Sequence, residues 1–223
     1  MNSCNDKSGA FQFFCSWSGG KDSCLALFRM LNAGHVCRCL FTMIDETGER
    51  SRSHGLTPEL LKRQSRMMNL PLYIANASWK NYEEEFRNRL ISIRQCGLSH
   101  GVFGDIDLEP HRQWVEKICN ESGFQPHLPL WKEIRRNIVN EFIDASFKAL
   151  IVVVNSRKMP EEFLGRSIDR RLIGELEDLG IDVCGENGEF HSFVYDGPLF
   201  KSPVDFSIRN KISIQGYSFL EIG

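Results

Sequence analysis

Short apolar runs alternate with longer amphipathic stretches along most of this chain, a pattern that predicts strand–helix units feeding a parallel sheet. Residues 11–17 read as the first strand. Residues 22–33 read as a helix, because Leu25, Phe28 and Leu31 fall on one face and Gly34 supplies a stop. A second strand follows over 36–44. Thr57 is the expected N-cap, with Pro58 at the first helical position, of a helix running to Met68. The pattern then predicts a strand at 72–75, a charged amphipathic helix at 82–95 ended by Gly97, a strand at 101–106, a helix at 110–122 and a short fifth strand at 127–130.

Beyond residue 131 the texture changes. A helix over 134–147 precedes a very apolar strand at 149–154, and a second helix covers 168–179. Two β-like runs, 190–195 and 211–222, flank a turn at Asp196-Gly197-Pro198. The predicted fold is α/β: a Rossmann-like parallel five-stranded sheet with helices on both faces, plus a smaller C-terminal α+β domain. The expected domains span 1–131 and 132–223, packed directly on each other. The run from Ser213 to Ile222 could pair across subunits, so a homodimer is compatible with the sequence.

Composition narrows the class. At 223 residues with 42% apolar and 25% charged residues, the chain has the make-up of an ordinary globular protein. A net charge of −2 argues against a dedicated nucleic-acid binder. No apolar run is long enough to span a membrane and residues 1–10 are polar, so a cytoplasmic protein without a secretory signal is expected. The eight cysteines are scattered and form no CxxC pair, which suits reduced thiols. Cys37 and Cys39 would share one face of a regular strand; they read as buried small residues or as half of a metal site. Trp79, Trp114 and Trp131 are expected in the core or at the lobe interface.

Candidate chemistry concentrates at Ser18-Gly19-Gly20-Lys21-Asp22-Ser23, where the first strand ends and a helix opens at once. Two glycines let the backbone turn tightly, and N–H groups at a helix start attract anions. The hydroxyls of Ser18 and Ser23 can donate to phosphate oxygens, and Lys21 adds a compact positive charge. The spacing is not that of the Walker motif, since Lys21 follows the second glycine directly and Asp22 comes next. Asp22 offers a hard oxygen ligand for Mg²⁺. Gly104 and Asp105 close the fourth strand, on the side where open α/β sheets bind ligands; Asp105 contacts ribose or metal there, or caps the next turn. Arg52 and His54 lie in a loop on that same side, and Glu109 opens a helix where a carboxylate favours the dipole.

This loop resembles the pyrophosphate loop of the N-type ATP pyrophosphatases. That resemblance implies ATP split to AMP and pyrophosphate, with adenine near the second strand, where Thr42 is the candidate contact. Further stretches resemble the diphthine–ammonia ligase family: Arg50-Ser51-Arg52-Ser53-His54-Gly55, Val102-Phe103-Gly104-Asp105-Ile106, Leu164-Gly165-Arg166 and Gly185-Glu186-Asn187-Gly188-Glu189-Phe190-His191. Members convert the carboxylate of diphthine, on translation elongation factor 2, to an amide with ATP and ammonia. The resemblance implies ATP and Mg²⁺ as cofactors and an acceptor-binding C-terminal domain. Lys21 and Asp22 are then candidate catalytic groups, as is whichever of Glu186 and Glu189 receives ammonia's proton; a solvated acidic turn is the other reading of these two. Asn187 would hold the acyl oxygen or serve as a turn residue, and His54 and His191 are further substrate candidates. Residues 50–55 depart from the eukaryotic and archaeal members and resemble a bacterial-type branch, in organisms that do not make diphthamide. The resemblance therefore implies a reaction type and leaves the acceptor open.

Two other classes fit the same nucleotide domain. One is a tRNA-modifying enzyme that thiolates or lysylates a base; thiolation would need a sulfur-carrying cysteine, and Cys184 is the one suggestive candidate. A non-catalytic ATP or AMP sensor would not need the intact Lys21, Asp22 and Ser23.

Overall fold

A computed structural model describes residues 9–223; Cys4 and most of the polar N-terminal run considered above lie outside the described residues. Five parallel strands, β1 (Gln12–Ser16), β2 (Val36–Ile44), β3 (Leu72–Asn76), β4 (His100–Val102) and β5 (Gln125–His127), form one sheet in the order β3-β2-β1-β4-β5. The helices between them are α1 (Lys21–Asn32), α2 (Pro58–Met67), α3 (Tyr82–Gln95) and α4 (Glu109–Glu121). Thr57 caps α2 as the sequence predicts, accepting the Leu60 N–H.

Side chains alternate across β1. Phe13, Cys15 and Trp17 enter the core with Leu25 of α1 and Leu61 of α2, while Phe14 enters the opposite core with Leu90 of α3 and Ile118 of α4. Helices therefore cover both faces. The strand order reverses between β1 and β4, so the loops after these two strands diverge and leave a crevice at their carboxyl ends.

Cys37 and Cys39 do not share a face. Phe13 pairs with Cys37 and Phe14 with Cys39, which makes Arg38 the extra residue of a β-bulge. Cys37 joins the α1/α2 core and Cys39 the α3/α4 core, and among the described residues no group of three or more His, Cys, Asp and Glu gathers around either of them.

Two strands are shorter or earlier than their apolar runs suggest. β4 stops at Val102, level with Cys15 of β1, because beyond Phe103 no neighbouring strand continues the ladder. β5 stops at His127; the run that follows turns at once, with Leu130 fully buried in the core as a loop residue.

The second lobe comprises α5 (Arg135–Asp144), β6 (Lys148–Asn155), a 3-10 turn at Glu161–Phe163, α6 (Arg170–Asp178), β7 (Phe190–Asp196), β8 (Ile208–Ile214) and β9 (Tyr217–Ile222). Its antiparallel sheet has the order β7-β6-β9-β8. The single run expected over 211–222 is a hairpin: Gln215 and Gly216 both take positive φ, 53° and 87°, the geometry that joins twisted strands through two residues. This places β9 inside the sheet and leaves β8 as the free edge. One apolar cluster runs without a break from Leu25 and Leu61 to Phe142, Val152 and Leu172 in the second lobe. Among the described residues no helix is long and apolar enough to cross a membrane.

Candidate active site

The pyrophosphate-type loop forms where Gly19, at φ +82°, turns the chain out of β1 and into α1. Its shape is fixed from inside and outside. Ser18 Oγ and Ser23 Oγ lie 3.0 Å apart, the Gly20 N–H donates to Ser18 Oγ at 3.2 Å, and Ser23 Oγ donates to the Gly20 carbonyl at 3.1 Å. From the second lobe, the Val194 N–H donates to the Gly19 carbonyl at 3.0 Å, and the Lys21 N–H donates to Ser192 Oγ at 3.1 Å. Gln64, fully buried on α2, donates to the carbonyls of Gly19 at 2.9 Å and Val194 at 2.6 Å and accepts from Trp17 Nε1 at 3.0 Å. One buried amide thus joins strand, loop and second lobe, with all of its partners satisfied.

Lys21 is only 4% exposed. Its Nζ donates to Asp22 Oδ2 at 2.8 Å and to the Cys184 carbonyl. Burial alone would lower the ammonium, yet Asp22 above all, with Glu186 behind it, holds Lys21 above its ordinary value. Burial raises the Asp22 carboxyl against the pull of Lys21. Asp22 Oδ1 is buried without any partner, an orphaned hard oxygen that fits a Mg²⁺ ion.

Gly104 lies where a side chain would strike the backbone of α1. An added Cβ would sit 2.7 Å from Ser23 N and 2.8 Å from Asp22 C, both closer than packed atoms allow. Gly104→Ala is expected to destabilise the fold by about 1–3 kcal/mol, read by urea unfolding. Asp105 follows at the pocket wall, with Oδ1 3.4 Å from His111 Nδ1; that contact raises the His111 ring above its ordinary value.

The crevice is a cavity of about 440 Å³. Ser18, Lys21, Asp22, Ser23, Gly104 and Asp105 line it from the first lobe, as do Thr42 at the end of β2 and His54 from the loop that follows. Thr42 is 3% exposed and its hydroxyl donates to the Trp17 carbonyl. The second lobe contributes Glu186 and His191. Burial, with Asp22 nearby, pushes Glu186 up to about 7. Four expected site residues lie outside this lining: Gly19 and Gly20, which shape the turn behind it, and Asn187 and Glu189. Asn187 is exposed, accepts from Arg135 Nη1 at 3.3 Å and gives its carbonyl to Lys158. Glu189 is 6% exposed, lies outside the cavity lining and keeps Oε2 unpartnered.

His54 and His191 pack with ring centroids 4.7 Å apart, and His54 Nδ1 lies 2.7 Å from the Ser192 carbonyl. A carbonyl only accepts, so Nδ1 carries the proton and Nε2 keeps a lone pair. Burial lowers His54 to about 4 and pushes His191 well down; His127, near the far ends of β1 and β4, also falls to about 4 through burial and His100. Between pH 6.5 and about 4 the unfolded chain takes up protons that these folded rings refuse. Stability is therefore expected to fall as pH drops through that window. Urea midpoints measured from pH 7.5 to 4.5 should show the slope, and it should be shallower in His54→Gln.

The tryptophans divide. Trp114 and Trp131 are partly buried, but Trp79 is 76% exposed at the mouth of the cavity, with the Arg52 guanidinium 4.4 Å from its ring. The core reading of Trp79 is therefore corrected. It sits on the turn before α3, where side chains project over the crevice rather than under the sheet. Trp79, Tyr82, Phe86 and Trp114 line an adjoining chamber of about 540 Å³. Sequence reasoning also missed Gln64, Ser192 and Arg135. Gln64 did leave a signal, a polar residue within the buried stripe Leu60, Leu61, Gln64 of α2; Ser192 and Arg135 reach the site through tertiary contacts that leave none.

Several known proteins are similar to this chain in sequence. Human diphthine–ammonia ligase is 26% identical over 216 residues, covering 84% of this chain and 79% of the human protein. The zebrafish (Danio rerio) diphthine–ammonia ligase is 25% identical over 236 residues, covering 92% and 90%. A solved structure of a predicted subunit of tRNA methyltransferase from Methanocaldococcus jannaschii superposes with a TM-score of 0.44 at 13% identity, over 83% of this chain and 96% of that one, a likeness too loose to bear on function. The diphthamide synthase N-terminal domain matches residues 12–126, and the diphthamide synthase C-terminal domain matches residues 135–222. With both domains matched in order and the loop, cavity and second lobe assembled around them, the chain belongs to the diphthamide synthase family.

Proposed function

We propose that this protein is an ATP-dependent, AMP-forming ligase that adenylates a carboxylate and transfers ammonia to it, giving an amide. One observation carries the reading. The anion-binding loop of the first domain and the Glu186 carboxylate of the second face a single cavity, joined by the Lys21 bond to the Cys184 carbonyl. The nucleotide is assigned to residues 1–131 and the acceptor to 132–223.

A carboxylate is a poor acyl donor because amide formation would have to expel oxide. Attack of its oxygen on the α-phosphorus of ATP releases pyrophosphate and leaves an acyl adenylate; ammonia then attacks the acyl carbon and AMP departs. Ser18, Ser23 and Lys21 hold the phosphates, and Lys21 neutralises charge on the departing pyrophosphate. Asp22 would hold Mg²⁺, which supplies further positive charge to the phosphates when bound. Glu186 attracts ammonium when ionised and receives the proton that nitrogen sheds as the C–N bond forms. His54 Nε2 and His191 complete the acceptor side, and Thr42, Gly104 and Asp105 border the nucleoside. Glu189 and Asn187 support the loop that carries Glu186.

The acceptor bears a carboxylate, and diphthine of elongation factor 2 is the candidate that the family suggests. A cytoplasmic setting is part of the proposal and agrees with the free cysteines of the described residues. So is a homodimer, for which β8 rather than β9 offers the free edge; sedimentation velocity reads it directly. Thiolation fits poorly, because burial pushes Cys184 up to about 12 and its Sγ is bonded to the Arg135 carbonyl at 3.1 Å. The test is incubation with ATP, Mg²⁺, ¹⁵N-ammonium and diphthine-bearing elongation factor 2 beside other carboxylate acceptors. One ¹⁵N amide per AMP is the expected result; AMP formation with no ¹⁵N in any acceptor counts against ammonia transfer.

A further inference from the structure

Arg135, the first residue of α5, ties two loops of the cavity together. Its Nε and Nη2 donate to the two oxygens of Asp107 at 2.8 and 2.7 Å, a fork on a carboxylate. Its Nη1 donates to Asp182 Oδ2 at 2.8 Å and to Asn187 Oδ1 at 3.3 Å. Asp107 lies in the loop after β4 that also carries Gly104 and Asp105. Asp182 and Asn187 flank Glu186 in the other lobe.

Asp182 is more than a charge partner. Its Oδ1 accepts the Cys184 N–H at 3.2 Å and its Oδ2 accepts the Glu186 N–H at 2.7 Å, so this carboxylate shapes the turn on which Glu186 stands. The Arg135 carbonyl accepts the Cys184 thiol, and the Cys184 carbonyl accepts Lys21 Nζ. A continuous set of bonds therefore leads from the loop after β4, through Arg135 and the Glu186 turn, to the anion-binding loop.

We propose that Arg135 is a positioning residue that locks the turn carrying Glu186 to the loop carrying Gly104, Asp105 and Asp107, and so sets where ammonia meets the adenylate. The assignment deepens the proposed function and rests on it for the identity of the step. The locking itself rests on the hydrogen bonds alone. The planar fork is what the site uses, because a lysine ammonium is a single point charge and cannot bridge both oxygens of Asp107 while also holding Asp182 and Asn187.

The experiment compares the wild type with Arg135→Lys and Asp107→Asn, using amide hydrogen exchange and steady-state kinetics. Peptides covering 182–189 should exchange about tenfold faster in both variants, while peptides of β6 stay unchanged. The KM for ammonium should rise and kcat for amide formation fall by about 10- to 100-fold, with the KM for ATP nearly constant. The double variant should be little worse than either single one, as expected of partners in one contact. Unchanged exchange over 182–189 overturns the proposal. So does faster exchange everywhere with both KM values moved together, the mark of general loosening. If the wild type forms no AMP, the functional reading fails and exchange over 182–189 alone decides the positioning role.

Discussion

Lys21→Met is expected to lower the formation of AMP and pyrophosphate by at least about 10²-fold, the usual consequence of removing one preorganised charge from a developing anion. Methionine keeps the buried stem but removes all three donors. The Cys184 carbonyl then loses its bond to the first lobe, and Asp22 is left as a buried carboxylate facing no cation. Breaking such a pair costs about 3–5 kcal/mol when it is fully buried; Asp22 keeps 22% side-chain exposure, so the loss in stability should be well below that range. Isothermal titration with a non-hydrolysable ATP analogue separates the two effects. Weakened binding by a folded variant supports the assignment of Lys21 to the phosphates. Wild-type turnover in Lys21→Met removes Lys21 from the reaction.

Glu186→Gln should act later in the sequence. The amide keeps the shape of the side chain but can neither attract ammonium nor receive its proton, so amide formation should fall by about 10²- to 10⁴-fold. Exchange of labelled pyrophosphate into ATP, which reports adenylation alone, should persist in the presence of acceptor. Glu189→Gln provides the contrast. Glu189 lies outside the cavity lining and its backbone carbonyl accepts the Asn155 N–H at 2.8 Å, so its replacement should change amide formation far less. A larger loss in Glu189→Gln than in Glu186→Gln would reverse their proposed roles.

Much of the first lobe is readable because its signals are local. The apolar stripe of Leu25, Phe28 and Leu31 marks α1, Thr57 and Pro58 mark the start of α2, and Ser18 to Ser23 mark the turn after β1. Elsewhere the sequence and the fold part for separate physical reasons. The Arg38 bulge that separates Cys37 from Cys39 depends on register with β1, and period-two reading assumes that no residue is skipped. The hairpin at Gln215 and Gly216 was hidden because glutamine is an uncommon residue at positive φ.

At the site, residue types were legible but side-chain directions were not. Sequence spacing put Glu186 and Glu189 on equal terms. In the folded turn Asp182 captures the Glu186 N–H, and Glu186 borders the cavity while Glu189 is buried beyond it. Trp79 was misplaced for the opposite reason: tryptophans are usually buried, and only the position of its turn beside the crevice explains an exposed one.

In the proposed reaction the Ser18–Ser23 loop splits ATP between the α- and β-phosphorus atoms. Phosphorus NMR of a reaction containing ATP, Mg²⁺, ammonium and a carboxylate acceptor tests it most directly. Matched growth of AMP and pyrophosphate resonances is expected, dependent on acceptor and suppressed in Lys21→Met. Growth of ADP and inorganic phosphate instead would contradict it.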